Sequence, residues 1–139
     1  MENKDITGAL HHIEINVSDL AQSTKFWGWL LGMLGYKEYQ FWDKGRSWKL
    51  GDTYIVLVQT REEHMPNPYH RCGTGLNHIA FHAASKQMID NIVEQLRIKN
   101  IPLLYHDKYP HAGGKECYAV YFEDPDRVKI EITVPSKDK

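Results

Sequence analysis

The chain has 139 residues, of which 42% are hydrophobic and 25% charged, so it is long enough to bury one core and too short for two unrelated domains. Its net charge of −1 and its dispersed lysines and arginines exclude the basic stripe of a nucleic-acid-binding protein. It shows neither a signal peptide nor an apolar run of the about 20 residues that span a bilayer, and we expect a cytoplasmic protein without a membrane partner. Cys72 and Cys117 lack the spacing of a thiolate zinc site, and we expect free thiols.

The predicted elements run twice through the same order. The segments HHIEINVSDLAQS, from His11, and NHIAFHAASKQMI, from Asn77, align without a gap. Each begins with the alternating apolar pattern of a half-buried strand and continues into a helix-capping residue and a helical pattern. The chain is therefore predicted to contain two copies of one structural unit.

The first copy, module 9–60, starts with a strand from His12. Ser18 or Asp19 can cap the following helix, and Gly35 suits the left-handed position after its last turn. Three strand-like runs follow, at 36–42, 46–51 and 53–60.

The second copy, module 76–134, repeats this order after a linker at 61–75 that is rich in proline and glycine. Ser85 can cap its helix, which Asn100 and Pro102 end. Three strand-like runs follow, at 102–106, 117–123 and 127–134, and a long loop at 106–116 interrupts them. We therefore predict one α+β domain over residues 1–139, built from two tandem βαβββ modules.

The polar faces of three predicted strands carry possible metal ligands. Because neighbours on a strand point to opposite faces, His12 and Glu14 share one face, and His78 takes the same repeat position in the second module. Glu131 lies on the polar face of the last strand. One alternative is that these faces simply look into water. The other is a facial set of two imidazoles and one carboxylate, which suits one Fe(II), Mn(II), Zn(II) or Ni(II) ion and leaves positions open for substrate.

Three stretches carry a resemblance to a known superfamily: HHIEINVSDL, GLNHIAFHA and YAVYFEDPDRVKIEI. From Ala9 to Val134 the chain resembles the vicinal oxygen chelate superfamily, which includes glyoxalase I, extradiol dioxygenases, fosfomycin-resistance proteins, methylmalonyl-CoA epimerase and bleomycin-resistance proteins. The resemblance implies a cupped, incompletely closed eight-stranded barrel with the helices outside, and one divalent metal ion on His12, His78 and Glu131. It also implies a small-molecule substrate with adjacent oxygens and a homodimer.

The fourth protein ligand that glyoxalase I is expected to carry is missing here. In glyoxalase I a glutamate is expected on the last strand of the first module, which reads TYIVLVQ in this chain. Overlaying the modules sets Leu57 opposite Glu131, and Gln59, two residues later, could reach the metal only if the register shifts. This departure argues against glyoxalase I activity and favours the three-ligand sites of extradiol dioxygenases and fosfomycin-type thiol transferases.

Part of the extradiol dioxygenase pattern is also present. His111, Tyr121 and Glu131 follow one another in the order of that family, although Arg127 replaces the glycine of its turn. In this interpretation Tyr121 donates a hydrogen bond to an oxygen held by the metal, and the alternative is a strand tyrosine packed on an aromatic neighbour. His111 is otherwise a surface loop residue.

Two classes of function stay open. The first is a metal-dependent enzyme, either glyoxalase-like (a lyase or isomerase) or extradiol dioxygenase-like, in which the metal stabilises the negative charge left on adjacent oxygens. A fosfomycin-type thiol transferase is an alternative to these two. Glu14 is the first candidate for its base because it shares a face with His12, and the alternative is a solvated carboxylate. The second class is a metal-free small-molecule binding protein of the bleomycin-resistance type, against which the intact ligand set argues.

Overall fold

The computed structural model describes residues 4–135. The chain divides into two units, residues 1–66 and residues 67–139, and each contains one copy of the repeat that the sequence predicts. No helix among the described residues is long and apolar enough to cross a membrane.

The first unit is a four-stranded mixed sheet with one helix. Its elements after a short 3-10 helix at Lys4–Ile6 are β1 (His12–Val17), α1 (Leu20–Met33), β2 (Lys37–Trp42), β3 (Gly45–Leu50) and β4 (Thr53–Gln59). The strand order is β1-β4-β3-β2, with β1 parallel to β4 and the other pairs antiparallel. The alternating burial along β1 confirms the predicted period of two, with the apolar side chains as the less exposed set.

The second unit is a three-stranded mixed sheet with one helix. Its elements are β5 (His78–His82), α2 (Lys86–Ile98), β6 (Cys117–Glu123) and β7 (Lys129–Pro135). The order is β5-β7-β6, with β5 parallel to β7 and β6 antiparallel to it. Ile130 and Ile132 of β7 are fully buried, as are Ile89, Ile92 and Leu96 of α2.

Both helices begin and end where local chemistry predicts. Asp19, rather than Ser18, caps α1 by accepting a hydrogen bond from Gln22 N at 3.1 Å, and Ser85 caps α2 by accepting one from Met88 N at 3.1 Å. Gly35 after α1 has φ +94°, and Asn100 after α2 has φ 59°. Both are the left-handed conformations that terminate a helix.

One of the eight predicted strands, at 102–106, is absent from the described chain. Residues 102–106 form only an isolated bridge in which Leu104 N donates to Tyr121 O at 2.8 Å. Pro102 has no N–H to donate, and Tyr105 adopts a left-handed conformation with φ 55° that ends the extended backbone. The described residues therefore form seven strands, in sheets of four and three.

A tight turn fixes the start of β7. The carboxylate of Asp124, only 4% exposed, accepts hydrogen bonds from Asp126 N and Val128 N at 2.8 Å each. Arg127, in the place of the expected glycine, has φ 66° and pairs with Glu123. This turn connects β6 to β7 and so helps to set the position of Glu131, which lies on β7.

Candidate functional site

His78 and Glu131 are brought together by the parallel pairing of β5 and β7. His78 lies opposite Lys129, so Glu131, two residues further on, points to the same face as His78. His78 Nε2 is 3.2 Å from Glu131 Oε1. His78 Nδ1 is 2.7 Å from Asn77 Oδ1, and because an amide oxygen only accepts, this contact assigns a proton to Nδ1. In the neutral imidazole, Nε2 then faces the carboxylate with a lone pair, and two such acceptors side by side are a favourable place for a cation.

Tyr121 of β6 completes this face in the second unit. It lies directly opposite Glu131, and its side chain is 9% exposed. Burial, followed by the charge of Glu131 and a hydrogen bond to it, raises the pKa of Tyr121 to about 12. The phenol therefore keeps its proton at neutral pH and acts as a hydrogen-bond donor. Loop residue Gly113 lies so close to this hydroxyl that an added Cβ would stand 2.6 Å from the oxygen.

His12 lies on the corresponding face of the first unit. Its ring stacks on Tyr54 of β4, with centroids 4.6 Å apart and planes 4° from parallel, because the two residues are directly paired across β1 and β4. Its Nδ1 is 2.8 Å from Nδ1 of His11, which leaves Nε2 as the free ring nitrogen. Glu14 shares this face and is exposed to solvent.

The register of β4 corrects the overlay of the two modules. His12 pairs with Tyr54 as His78 pairs with Lys129, so the position that corresponds to Glu131 is Val56 and not Leu57. Val56 is 3% exposed and has no donor atom for a metal. The prediction that this position lacks a carboxylate therefore holds, although at a neighbouring residue.

Gln59 has a structural task at the start of α1. Its side-chain oxygen accepts from Leu20 N at 2.9 Å, and its side-chain nitrogen donates to Ser18 O at 2.9 Å. These bonds satisfy a backbone donor that the helix itself leaves without a partner. They hold the side chain on the helix side of β4, away from the face of Tyr54, so the structure argues against Gln59 as a fourth ligand.

His111 is grouped with a different set of residues from Tyr121. Its Nδ1 lies 2.9 Å from the carbonyl oxygen of Cys117, and its ring meets that of Tyr118 edge-on at 6.0 Å. The Tyr118 hydroxyl donates to Asp90 of α2 at 2.7 Å, on the helix side of the sheet. Tyr121 and Glu131 lie on the opposite face.

Two residues of this site were not anticipated from the sequence. Asn77 orients the His78 ring, and Lys129 stands beside it on the adjacent strand. Lys129 shares strand parity with Glu131, which is a signal that the sequence does contain, whereas the role of Asn77 depends on a side-chain rotamer. Among the residues that the structure describes, no group of three or more His, Cys, Asp or Glu side chains is close enough to hold a metal ion. The pair of His78 and Glu131 is thus the part of the predicted triad that the structure brings together.

Comparisons with known proteins give matches that cover most of the chain. The family model described as "Glyoxalase/Bleomycin resistance protein/Dioxygenase superfamily" matches residues 11–121. The uncharacterized protein YqjT of Bacillus subtilis (strain 168) is 54% identical over 91% of this chain and 99% of its own. A crystal structure of a candidate glyoxalase from Bacillus halodurans has a TM-score of 0.93 and 50% identity, and covers 96% of this chain and 100% of its own. The glutathione transferase FosA of Serratia marcescens is 27% identical over 92% of this chain and 82% of its own.

Proposed function

This chain belongs to the Glyoxalase/Bleomycin resistance protein/Dioxygenase superfamily, and from that premise we propose that it is a divalent-metal-dependent enzyme acting on a small molecule with adjacent oxygens. The observation that carries the proposal is the contact of 3.2 Å between His78 Nε2 and Glu131 Oε1. With its proton on Nδ1, the neutral imidazole turns the lone pair of Nε2 to the same space as the carboxylate. An imidazole whose other nitrogen is fixed by a hydrogen bond is the usual form of a histidine that binds a metal.

The proposed metal ligands are His12, His78 and Glu131. Two imidazoles and one carboxylate match the donor preferences of Fe(II), Mn(II), Zn(II) and Ni(II). His12 Nδ1 meets another imidazole nitrogen, that of His11, and the tautomer in which His12 is the donor leaves its Nε2 free for a metal. The assignment of His12 to the same ion as His78 and Glu131 comes from the family resemblance, and the metal measurements below test it.

The metal would supply a Lewis acid for substrate oxygens. The other groups would act on protons. Tyr121, held neutral, would turn its one proton from Glu131 to the substrate, and its burial keeps water from competing for that bond. Glu14, on the face of His12, would receive a proton from the substrate.

Non-oxidative chemistry is the better supported form of this proposal. Val56, where a fourth carboxylate would stand, indicates a three-ligand site, which both chemistries share, and the likeness to FosA is to a thiol-transferring enzyme. His111 packs on Tyr118 rather than beside Tyr121, so the residue order that suggests an extradiol dioxygenase is not matched by a shared site. We therefore favour transfer of a thiol to the substrate, or its isomerisation, over dioxygen chemistry.

Metal content tests the proposal directly. Untagged protein is reconstituted with Fe(II), Mn(II), Zn(II) or Ni(II) under argon, and bound metal is measured by mass spectrometry for the wild type and for His12→Ala, His78→Ala and Glu131→Ala. His82→Ala is the matched control, because His82 is an exposed histidine on the same face of β5 as His78. Circular dichroism confirms that each variant is folded, and sedimentation of the same samples tests the expected homodimer.

We expect near-stoichiometric metal in the wild type and in the control, and its loss in the other three variants. Loss in His78→Ala and Glu131→Ala alone would remove His12 from the ligand set. A wild type that stays metal-free with all four ions would contradict the proposal and favour a binding protein of the bleomycin-resistance type.

A further inference from the structure

Lys129 places an ammonium group on the face that carries His78 and Glu131. Lys129 is the direct cross-strand neighbour of His78 and precedes Glu131 by two residues on β7. Its Nζ donates to the Tyr105 hydroxyl at 2.8 Å, and lies 4.8 Å from the centroid of the Tyr105 ring and 5.3 Å from that of Tyr121. Two aromatic rings thus fix the ammonium group in place.

The partners of Lys129 hold its position without neutralising its charge. Phenol groups contribute a hydrogen bond and a ring quadrupole, but no countercharge. Two carboxylates share this face with Lys129, and both are engaged elsewhere. Glu131 is directed at His78 Nε2, and Glu123, directly opposite Lys129 on β6, pairs with Arg71 and Arg127. A lysine that serves only to cover apolar surface keeps its ammonium group in water, whereas this one is placed over rings at the edge of a candidate site.

The first unit repeats the arrangement with different residues. Lys49 of β3 pairs with Tyr54, whose ring stacks on His12, and Lys49 Nζ lies 4.6 Å from the centroid of the Tyr39 ring. Tyr39 in turn meets Tyr54 edge-on at 5.2 Å. Each unit therefore places an ammonium group on a tyrosine ring beside its proposed metal-binding histidine.

We infer that the substrate is an anion, and that Lys129 binds its carboxylate or phosphonate group beside His78 and Glu131. An ammonium group is a strong but undirected partner for oxyanions, and its hydrogen bonds to them are charge-assisted. The contacts with Tyr105 and Tyr121 hold the Lys129 side chain in one rotamer and so fix the position of its ammonium group. This inference rests on the proposed function only for the location of the substrate site. It predicts anion binding whether or not a metal is present.

Binding of simple anions tests the inference. Methylphosphonate and acetate are titrated by calorimetry into chelator-treated and metal-reconstituted protein, with acetamide as the neutral counterpart of acetate. The variants are Lys129→Gln, which removes the charge, and Lys129→Arg, which keeps it. Lys86→Gln is the matched control, because Lys86 Nζ also lies over a tyrosine ring, 5.7 Å from the centroid of Tyr118, but on α2.

We expect the wild type, Lys129→Arg and Lys86→Gln to bind at least one anion and not acetamide. Lys129→Gln should weaken that binding about tenfold or more, which is the loss of one charge-assisted contact. The stronger probe identifies phosphonate or carboxylate as the substrate group. An anion affinity that is unchanged in Lys129→Gln, or a wild type that binds neither anion, would overturn the inference.

The metal measured in the same samples separates the two proposals. Metal binding that survives in Lys129→Gln while anion binding is lost supports both. Anion binding that depends on Lys129 in a protein that never takes up metal supports the inference and contradicts the enzyme proposal. If the protein binds metal but its anion binding does not depend on Lys129, the inference is overturned and the enzyme proposal is not.

Discussion

Replacing Gly113 by alanine should force a clash with the hydroxyl of Tyr121. The added Cβ would stand 2.6 Å from that oxygen, and a contact under 3.0 Å requires that one of the groups moves. Tyr121 is 9% exposed, and its ring meets that of Tyr105 edge-on at 5.4 Å, so it has little room to yield. Overpacking of this kind costs about 1–3 kcal/mol. We expect Gly113→Ala to lower the free energy of unfolding by that amount in chemical denaturation.

The double variant with Tyr121→Phe distinguishes this clash from other effects of the substitution. Without the hydroxyl oxygen, the next ring atom, Cζ, is 3.7 Å from the added Cβ, which is an ordinary contact. Gly113→Ala should therefore cost little in the Tyr121→Phe background, and the coupling between the two substitutions should be about 1–3 kcal/mol. Additive effects, or a Gly113→Ala variant as stable as the wild type, would refute this account of the loop.

Three other predictions concern stability and pH. Gly32→Ala, at an exposed position of α1 where an added Cβ meets nothing within 4 Å, should raise the free energy of unfolding by about 1 kcal/mol in urea. Arg127→Gly removes the cost of about 1–2 kcal/mol that a left-handed backbone carries at a non-glycine residue, and it loses only a partly exposed ion pair with Glu123. Chemical denaturation should therefore show a variant at least as stable as the wild type. The hydrogen bond from Tyr118 to Asp90 raises the pKa of that phenol above 10, so it stabilises the fold fully below pH 10 and less as the pH rises further. Asp90→Asn should lower that pKa in an ultraviolet phenolate titration, and an unchanged titration curve would contradict the assignment.

The elements of both modules were predictable because their signals are local. Strand alternation, the caps at Asp19 and Ser85, and the left-handed residues after each helix depend on neighbours within a few positions. The family resemblance is confirmed by the match over residues 11–121. The prediction of a strand at 102–106 was wrong. Tyr105 has a left-handed conformation and its hydroxyl accepts a hydrogen bond from Lys129, a residue far along the chain that a local pattern does not include.

The sequence predicted which strand face each candidate site residue lies on, but not how β4 pairs in register with β1. The parity of β5 and β7 places His78 and Glu131 on one face, and their contact bears this out. The overlay erred at Leu57, because the pairing of β4 with β1 is set by hydrogen bonds between residues that are distant in sequence. His12 as the third ligand stays a prediction, as do the roles of Glu14 and Tyr121.

The charges on the face of β5 and β7 connect the metal and anion proposals. Glu131 contributes one carboxylate and Lys129 one ammonium group, the carboxylate of Glu123 opposite Lys129 is paired with Arg71 and Arg127, and Tyr121 stays neutral with its pKa raised to about 12. A divalent ion bound between His78 and Glu131 would therefore leave this partly buried face with an excess of positive charge, which is unfavourable unless an anion balances it. Binding of the two should then be coupled: a metal ion should tighten methylphosphonate, and by thermodynamic reciprocity methylphosphonate should tighten the metal by the same factor. A neutral substrate would leave that excess uncompensated, so with a metal bound the charge balance, in which Lys129 itself counts, favours an anionic substrate.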